Sequence, residues 1–176
     1  MTQLVGEHRP AIIVTDASVL INFLRIDRTD LLAGLSHEFI VTDHVAAEVT
    51  DRYPDQQQRF AAAVGAGAIS ETRVATLAEL QIFGSMMATG RLGAGECSAI
   101  ALAVSRGYIL AIDDRLATSH ARSASATLRI LATQDLVLSM IREGLLNIAE
   151  ADRIKQEWAT RHRFRLALNS FLDLLR

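Results

Sequence analysis

Two short apolar runs in the chain end in acid. Ala11-Ile12-Ile13-Val14 leads into Thr15-Asp16, and Tyr108-Ile109-Leu110-Ala111-Ile112 leads into Asp113-Asp114. Unbroken runs of this length fit strands buried on both faces of a parallel sheet. In such a sheet ligands gather beyond the carboxyl ends of the strands, where the strand order reverses. Two more carboxylates sit on helix-like segments. Glu48 lies midway along the segment after Phe39-Ile40-Val41, and Glu96 lies in the first turn of the segment that leads into the second acid-tipped run. If packing brings Asp16, Glu48, Glu96 and Asp113 or Asp114 into one cleft, each pair at ~5 Å repels by on the order of 3 kcal/mol at an effective dielectric of about 20. Protonation or a cation must relieve that repulsion. Hard oxygen ligands without clustered His or Cys select Mg²⁺ or Mn²⁺ over zinc. Such an ion activates water and stabilises a leaving oxygen at phosphorus, so the implied reaction is hydrolysis of a phosphodiester.

Each acid also has an ordinary role. Asp16 and Asp43 suit helix N-caps. Glu96 in a first turn is favoured by the helix dipole. Asp113-Asp114-Arg115 suits a turn, and Glu48 a solvated helix face. Caps do not explain why two separate buried strands both deliver acid. Competing chemistries lack their residues. Gly93-Ala94-Gly95 follows no strand and lacks the third glycine of a dinucleotide loop. There is no Gly-Lys-Ser/Thr loop and no Gly-x-Ser-x-Gly elbow. His8, His37, His44, His120 and His162 are scattered without metal spacing, and Cys97 reads as a small core residue.

The elements that must position these groups alternate between strand and helix. After the first strand, Val19, Leu20, Phe23 and Leu24 recur at helical spacing, and a short helix fits Thr29 to Leu35. Phe39-Ile40-Val41 is a second strand. Asp43 can cap a helix to about Arg52, which Tyr53-Pro54-Asp55 breaks. A helix at 55–65, a strand at 68–72 and a helix at about 75–88 precede a glycine-marked connection at Gly90, Gly93 and Gly95. The helix opened by Glu96 stops at Gly107. A strand at about 127–131 and a helix at about 134–143 follow, and Asn147-Ile148-Ala149-Glu150 has the spacing of a capping box. The apolar positions Leu166, Leu168, Phe171, Leu172 and Leu175 predict a last helix at about 165–175, closing the core or forming a groove for a dimer or partner. The alternation predicts an α/β fold: a three-layer α/β/α sandwich on a mainly parallel central sheet, with extra C-terminal helices.

At 176 residues, half of them apolar and 22% charged, the chain has the length and balance of one globular domain. Three stretches are distinguished: a loose 1–10, a main domain over 11–145, and a helical extension over 146–176 packed on the same domain. A single cysteine excludes a disulfide scaffold or a cysteine-rich zinc module and points to the cytoplasm. The N-terminus lacks the pattern of a signal peptide, and no apolar run is long enough to span a membrane. Net charge is −2, but residues 151–176 carry six basic side chains against three acidic ones. The densest run there, Arg161, His162, Arg163 and Arg165, reads first as a solvated face and second as an RNA contact. Arg115 and Arg122 flank the proposed cleft and suit either RNA phosphates or solvated loops.

Four blocks carry a resemblance to a known family. Ile12-Ile13-Val14-Thr15-Asp16-Ala17-Ser18-Val19-Leu20-Ile21 looks like the opening strand and turn of PIN-domain proteins. Thr42 to Val49, Gly95 to Ala103 and Ile109 to Arg115 resemble that family's later acidic elements, in its order, over roughly residues 11–131. The resemblance implies a metal-dependent endoribonuclease, often the toxin of a bacterial toxin–antitoxin pair of the VapBC kind. It implies an RNA substrate, a small antitoxin as partner, a homodimer and Mg²⁺ or Mn²⁺. It further implies that Asp16 ligates metal and that Glu96 with Asp114 completes the site. Glu48 would ligate directly or through water, and Ser18 would orient a ligating carboxylate. The chain departs from the commoner toxin pattern. Glu96 stands where Asp is usual and Asp43 where Pro is frequent, and the doubled Asp113-Asp114 leaves the fourth ligand open by one position. The stretch from Pro54 to Gly93 is longer and the tail after 145 is additional, as in a longer subgroup. These departures motivate a second reading, a non-catalytic interaction or regulatory module on the same fold.

Overall fold

The computed structural model describes residues 10–51 and 53–175; the expectation of a loose start falls, apart from Pro10, outside them. Five strands, β1 (Ala11–Thr15), β2 (His37–Thr42), β3 (Ser70–Thr72), β4 (Ile109–Ala111) and β5 (Ile130–Leu131), form one parallel sheet in the order β3-β2-β1-β4-β5. Val14 pairs with Ile40 on one side and Leu110 on the other. The chain moves outward from β1 through β2 and β3, then crosses back to β4 and β5, so the order reverses between β1 and β4. With right-handed crossovers, that reversal places helices on both faces. It explains why β1 and β4 read as unbroken apolar runs: Val14, Leu110 and Ala111 are fully buried.

The helices are α1 (Ala17–Arg25), α2 (Asp30–Gly34), α3 (Asp43–Thr50), α4 (Pro54–Gly65), α5 (Leu77–Met87), α6 (Ala94–Arg106), α7 (Arg115–Ala124), α8 (Thr133–Arg142) and α9 (Ile148–Arg161). α6 lies against β1, β2 and β4 and also meets α3, α5 and α7. Its run Cys97-Ser98-Ala99-Ile100-Ala101-Leu102-Ala103 is wholly buried. Small side chains on every face let sheet and helices approach it together. Gly107 ends it in the left-handed region at φ 66°, where a side chain would be strained.

α5 is fastened to α6 by one buried acid. Glu79 takes the N–H groups of Ala75 and Thr76 on Oε2 and Arg106 Nε on Oε1 at 2.7 Å. The Arg106 bond comes first among the causes that hold the Glu79 carboxyl down at about 2. α9 opens with the expected box between Asn147 and Glu150. Its Trp158 is fully buried, edge-on to Phe23 and Phe164, and the indole N–H donates to the Asn22 carbonyl at 2.8 Å.

Two local expectations are corrected. Thr42, not Asp43, caps α3, its Oγ1 accepting the Val45 N–H. Asp43 is the first helical residue and bonds the His44 N–H. The last helix is only a 3₁₀ turn at Phe171–Leu174. Asp152 on α9 captures both the Ser170 hydroxyl and the Phe171 N–H, which seats fully buried Phe171 without a full helix.

Candidate functional site

At the reversal point the backbone pairing of β1 and β4 continues one residue further, with the Asp16 N–H donating to the Ala111 carbonyl at 3.0 Å. Asp16 therefore sits at the sheet edge and also caps α1. Its Oδ1 accepts the Val19 N–H at 3.0 Å, and the Ser18 hydroxyl reaches Oδ1 at 3.0 Å and Oδ2 at 2.8 Å. The residue is 2% exposed. Burial pushes its carboxyl up to about 7; the Val19 and Ser18 bonds oppose the shift and the charge of Asp113 adds to it.

Asp113 arrives from the end of β4. Its Oδ1 accepts the Thr133 N–H at 2.8 Å, and its Oδ2 accepts the Thr133 hydroxyl at 2.6 Å and Asn22 Nδ2 at 3.2 Å. Thr133 stands just past β5 and Asn22 on α1, so three elements converge on one carboxylate. Burial raises the Asp113 carboxyl above its ordinary value; the Thr133 bonds oppose this and nearby Asp135 reinforces it.

The other acids are arranged differently. Asp114 is exposed and caps α7, accepting the Ala117 N–H at 2.8 Å. Glu96 is half-buried and folds back onto the Gly93 N–H at 2.9 Å. Glu48, exposed on α3, lays its carboxylate over Gly95 in the first turn of α6; a Cβ at Gly95 would lie 2.5 Å from Glu48 Oε2. The close approach of α3 and α6 is pinned by a buried hydroxyl relay. Thr42 donates to Ser98 at 2.6 Å, and Ser98 donates to the Gly95 carbonyl at 2.8 Å. Arg115 and Arg122 are exposed on α7, and His44 is exposed with its ring stacked on Phe83. Cys97 is a buried free thiol.

Asp16 thus feels the charge of Asp113, and Glu48 meets the turn that carries Glu96. Among the described residues no three or more His, Cys, Asp or Glu side chains gather as a metal cage. Mg²⁺ is commonly held by one or two carboxylates, with water and substrate phosphate supplying the rest. A buried carboxylate held near neutrality beside a second one fits that open mode and does not fit an all-protein cage.

Sequence reasoning does not single out Asn22, Thr133, Ser98 or Gly95. Asn22 has a legible signal, an amide inside the apolar stretch Val19 to Leu24. Thr133 follows a strand end as Asp16 and Asp113 do. The glycines at Gly90, Gly93 and Gly95 mark a connection, but the role of Gly95 depends on which helix crosses it.

No curated protein matches the chain significantly. A crystal structure of VapBC2 from Rickettsia felis, bound to a DNA fragment from its promoter, is similar with a TM-score of 0.48 and 10% identity, over 69% of this chain and 98% of that one. A family model described as a PIN domain, DUF3368, matches residues 12–171. That span takes in both acid-tipped strands, α6 and most of the tail, and the chain belongs to this PIN-domain family.

Proposed function

We propose that the chain is a metal-dependent endoribonuclease that hydrolyses RNA phosphodiester bonds with Mg²⁺ or Mn²⁺. The observation that carries this reading is Asp16: an acid sealed at the carboxyl end of β1, next to Asp113, at the point where strand order reverses. An acid needed only as a cap gains nothing from a second carboxylate beside it. Asp16 and Asp113 would hold the ion, Ser18 would orient Asp16, and Asn22 with Thr133 would orient Asp113. Glu48, Glu96 and Asp114 are proposed to join from α3, α6 and the start of α7. When bound, the ion would supply an activated water and charge stabilisation at the phosphate. Arg115 and Arg122 would hold flanking phosphates. The setting proposed is a cytoplasmic toxin–antitoxin pair, the chain a homodimeric toxin and a small antitoxin its partner. No helix among the described residues is long and apolar enough to cross a membrane.

A second reading, a non-catalytic module on this fold, is favoured by a specific observation. Glu96 and Asp114 both serve as helix-end acceptors, and no cage of three acids forms among the described residues. One pair of measurements separates the two readings. Cleavage of RNA that needs Mn²⁺, stops in EDTA and is lost in Asp16→Asn supports the nuclease. Absence of cleavage, with no rise in Tm at millimolar Mn²⁺, supports the module, because a ligand of the folded state must raise apparent stability.

A further inference from the structure

At the far end of α1 from Asp16, an open pocket of about 580 Å³ lies between the end of α1, the start of α4 and the end of α9. Four of its lining residues are Arg25, Arg59, Arg161 and Arg163, and its one lining carboxylate is Asp55. Three of these arginines have protein acceptors. Arg25 reaches the His162 carbonyl, Arg59 reaches the carbonyls of Leu24 and Arg25 and lies 3.7 Å from Asp27, and Arg161 reaches Glu157. Arg163 has no hydrogen bond or ion pair with the described residues, although its backbone sits in the left-handed region at φ 55°. Arg163 is the residue just past the α9 cap His162, where helices commonly end in the left-handed region, and its exposed side chain lines the pocket without a partner among the described residues.

The rest of the pocket narrows the ligand to a phosphate ester with a flat partner. Tyr53, 58% exposed, stands at the mouth of α4. It leads into Pro54 without a side-chain cap, and the first turn of α4 carries a single acid, Asp55, against the four arginines of the pocket. The His162 imidazole is held below its ordinary value, first by burial and then by Arg25, with Glu157 opposing and Arg161 and Arg59 adding. Exposed aromatic rings beside arginines are how single-stranded nucleic acid is held without sequence reading. α1 spans roughly 13 Å at its rise per residue, so the pocket and the Asp16 site lie within reach of one strand. α9 is keyed to that helix through Trp158 on the Asn22 carbonyl, and the Asn22 side chain holds Asp113.

We propose that this pocket binds single-stranded RNA, its arginines taking backbone phosphates and Tyr53 stacking on a base, as an anchoring site separate from the carboxylate site. The inference rests on the reading of the chain as one that acts on RNA, but its test needs no cleavage. Binding of a fluorescein-labelled single-stranded oligoribonucleotide of roughly ten nucleotides, within the usual site sizes for such proteins, is measured by polarisation in EDTA over a salt series. Arg161→Gln with Arg163→Gln is expected to weaken binding about tenfold and to flatten the slope of log K against log salt by about 0.7 for each phosphate no longer neutralised. Tyr53→Ala is expected to weaken binding with the slope unchanged, because stacking is not ionic. Arg163→Gly is expected to weaken binding while Tm stays level or rises, since glycine relieves the positive φ. No binding by the wild type, unchanged affinity and slope in the arginine pair, or tighter binding of an oligoglutamate peptide than of RNA would each overturn the pocket. If the pocket variants lose binding while the wild type never cleaves with Mn²⁺, the anchoring site stands and the nuclease reading falls. Cleavage by a wild type whose binding ignores the pocket variants gives the reverse.

Discussion

Asp16 carries two roles that pull its protonation in opposite directions. As a cap it accepts the Val19 N–H, which favours the carboxylate, while burial and Asp113 favour the acid. Its folded value of about 7 lies above its ordinary 3.8, so the folded state binds this proton more tightly than the unfolded state does. The stability it contributes is complete below about 4 and is lost as pH rises through 7, on the order of 4 kcal/mol in all. Metal-free wild type should therefore lose Tm between pH 5 and pH 8 relative to Asp16→Asn, which keeps a good cap and carries no charge. Parallel Tm curves for the two proteins across that range would sink the argument. Asp16→Ala lacks the cap as well, and should fall below Asp16→Asn by roughly 1 kcal/mol at every pH. The same group predicts proton release on metal binding. Near pH 7 Asp16 is about half protonated, and a cation must expel that proton. Calorimetric titration with Mn²⁺ in buffers of different ionisation enthalpy should report a fractional proton released in wild type and less in Asp16→Asn.

Between elements, α3 crosses the first turn of α6 with the Glu48 carboxylate lying over Gly95. A Cβ at Gly95 would lie 2.5 Å from Glu48 Oε2 and 3.6 Å from Val45 Cγ2, and the first of these is the far end of a flexible chain. Gly95→Ala should therefore change Tm little, because the roughly 0.5–1 kcal/mol that alanine gains in a helix is set against the displacement of Glu48. Glu48 must move away, and RNA cleavage should fall if Glu48 serves the site. Unchanged cleavage in a folded Gly95→Ala protein would remove Glu48 from the proposal. The α5–α6 pairing depends on Glu79 in a similar way. Its carboxyl is held at about 2 against an ordinary 4.5, so its contribution is present above 4.5 and disappears as pH falls toward 2. Glu79→Gln should cost roughly 1.5–3 kcal/mol at pH 7, the range for a hydrogen bond to a charged group. That cost should shrink in denaturant melts at pH 3.

Over the whole molecule, the tail is tied to the core from three directions. Trp158 packs on Phe23 and holds the Asn22 carbonyl, Asp152 seats Phe171, and Arg25 reaches the His162 carbonyl. We read residues 146–176 as part of the one domain, and not as an appendage. A chain ending at 145 would expose the apolar faces that Trp158 and Phe171 cover, and it should fail to melt cooperatively. Trp158→Ala in the full chain should cost roughly 3–5 kcal/mol by leaving a large cavity. A cooperative melt of the truncated chain near the wild-type Tm would make the tail a separate unit.

Much of this architecture could be read from residue order alone. Unbroken apolar runs ending in acid marked β1 and β4 and the edge where their acids emerge, because only strands covered on both faces need such runs. The capping box at Asn147 and the stop at Gly107 are local chemistry, and local chemistry is legible. The last apolar stripe misled: Leu166 to Leu175 has helical content, but Asp152, distant in the chain, binds Ser170 and Phe171 and permits only a 3₁₀ turn. Short-range pattern therefore determined which acids the protein has and which sheet edge most of them face. Only the tertiary structure decided that Asp16 and Asp113 share a field, that Glu96 and Asp114 bond helix ends, and that arginines from α1, α4 and α9 ring one pocket. Those outcomes depend on desolvation and on which elements cross, and neither quantity is defined until the chain has packed.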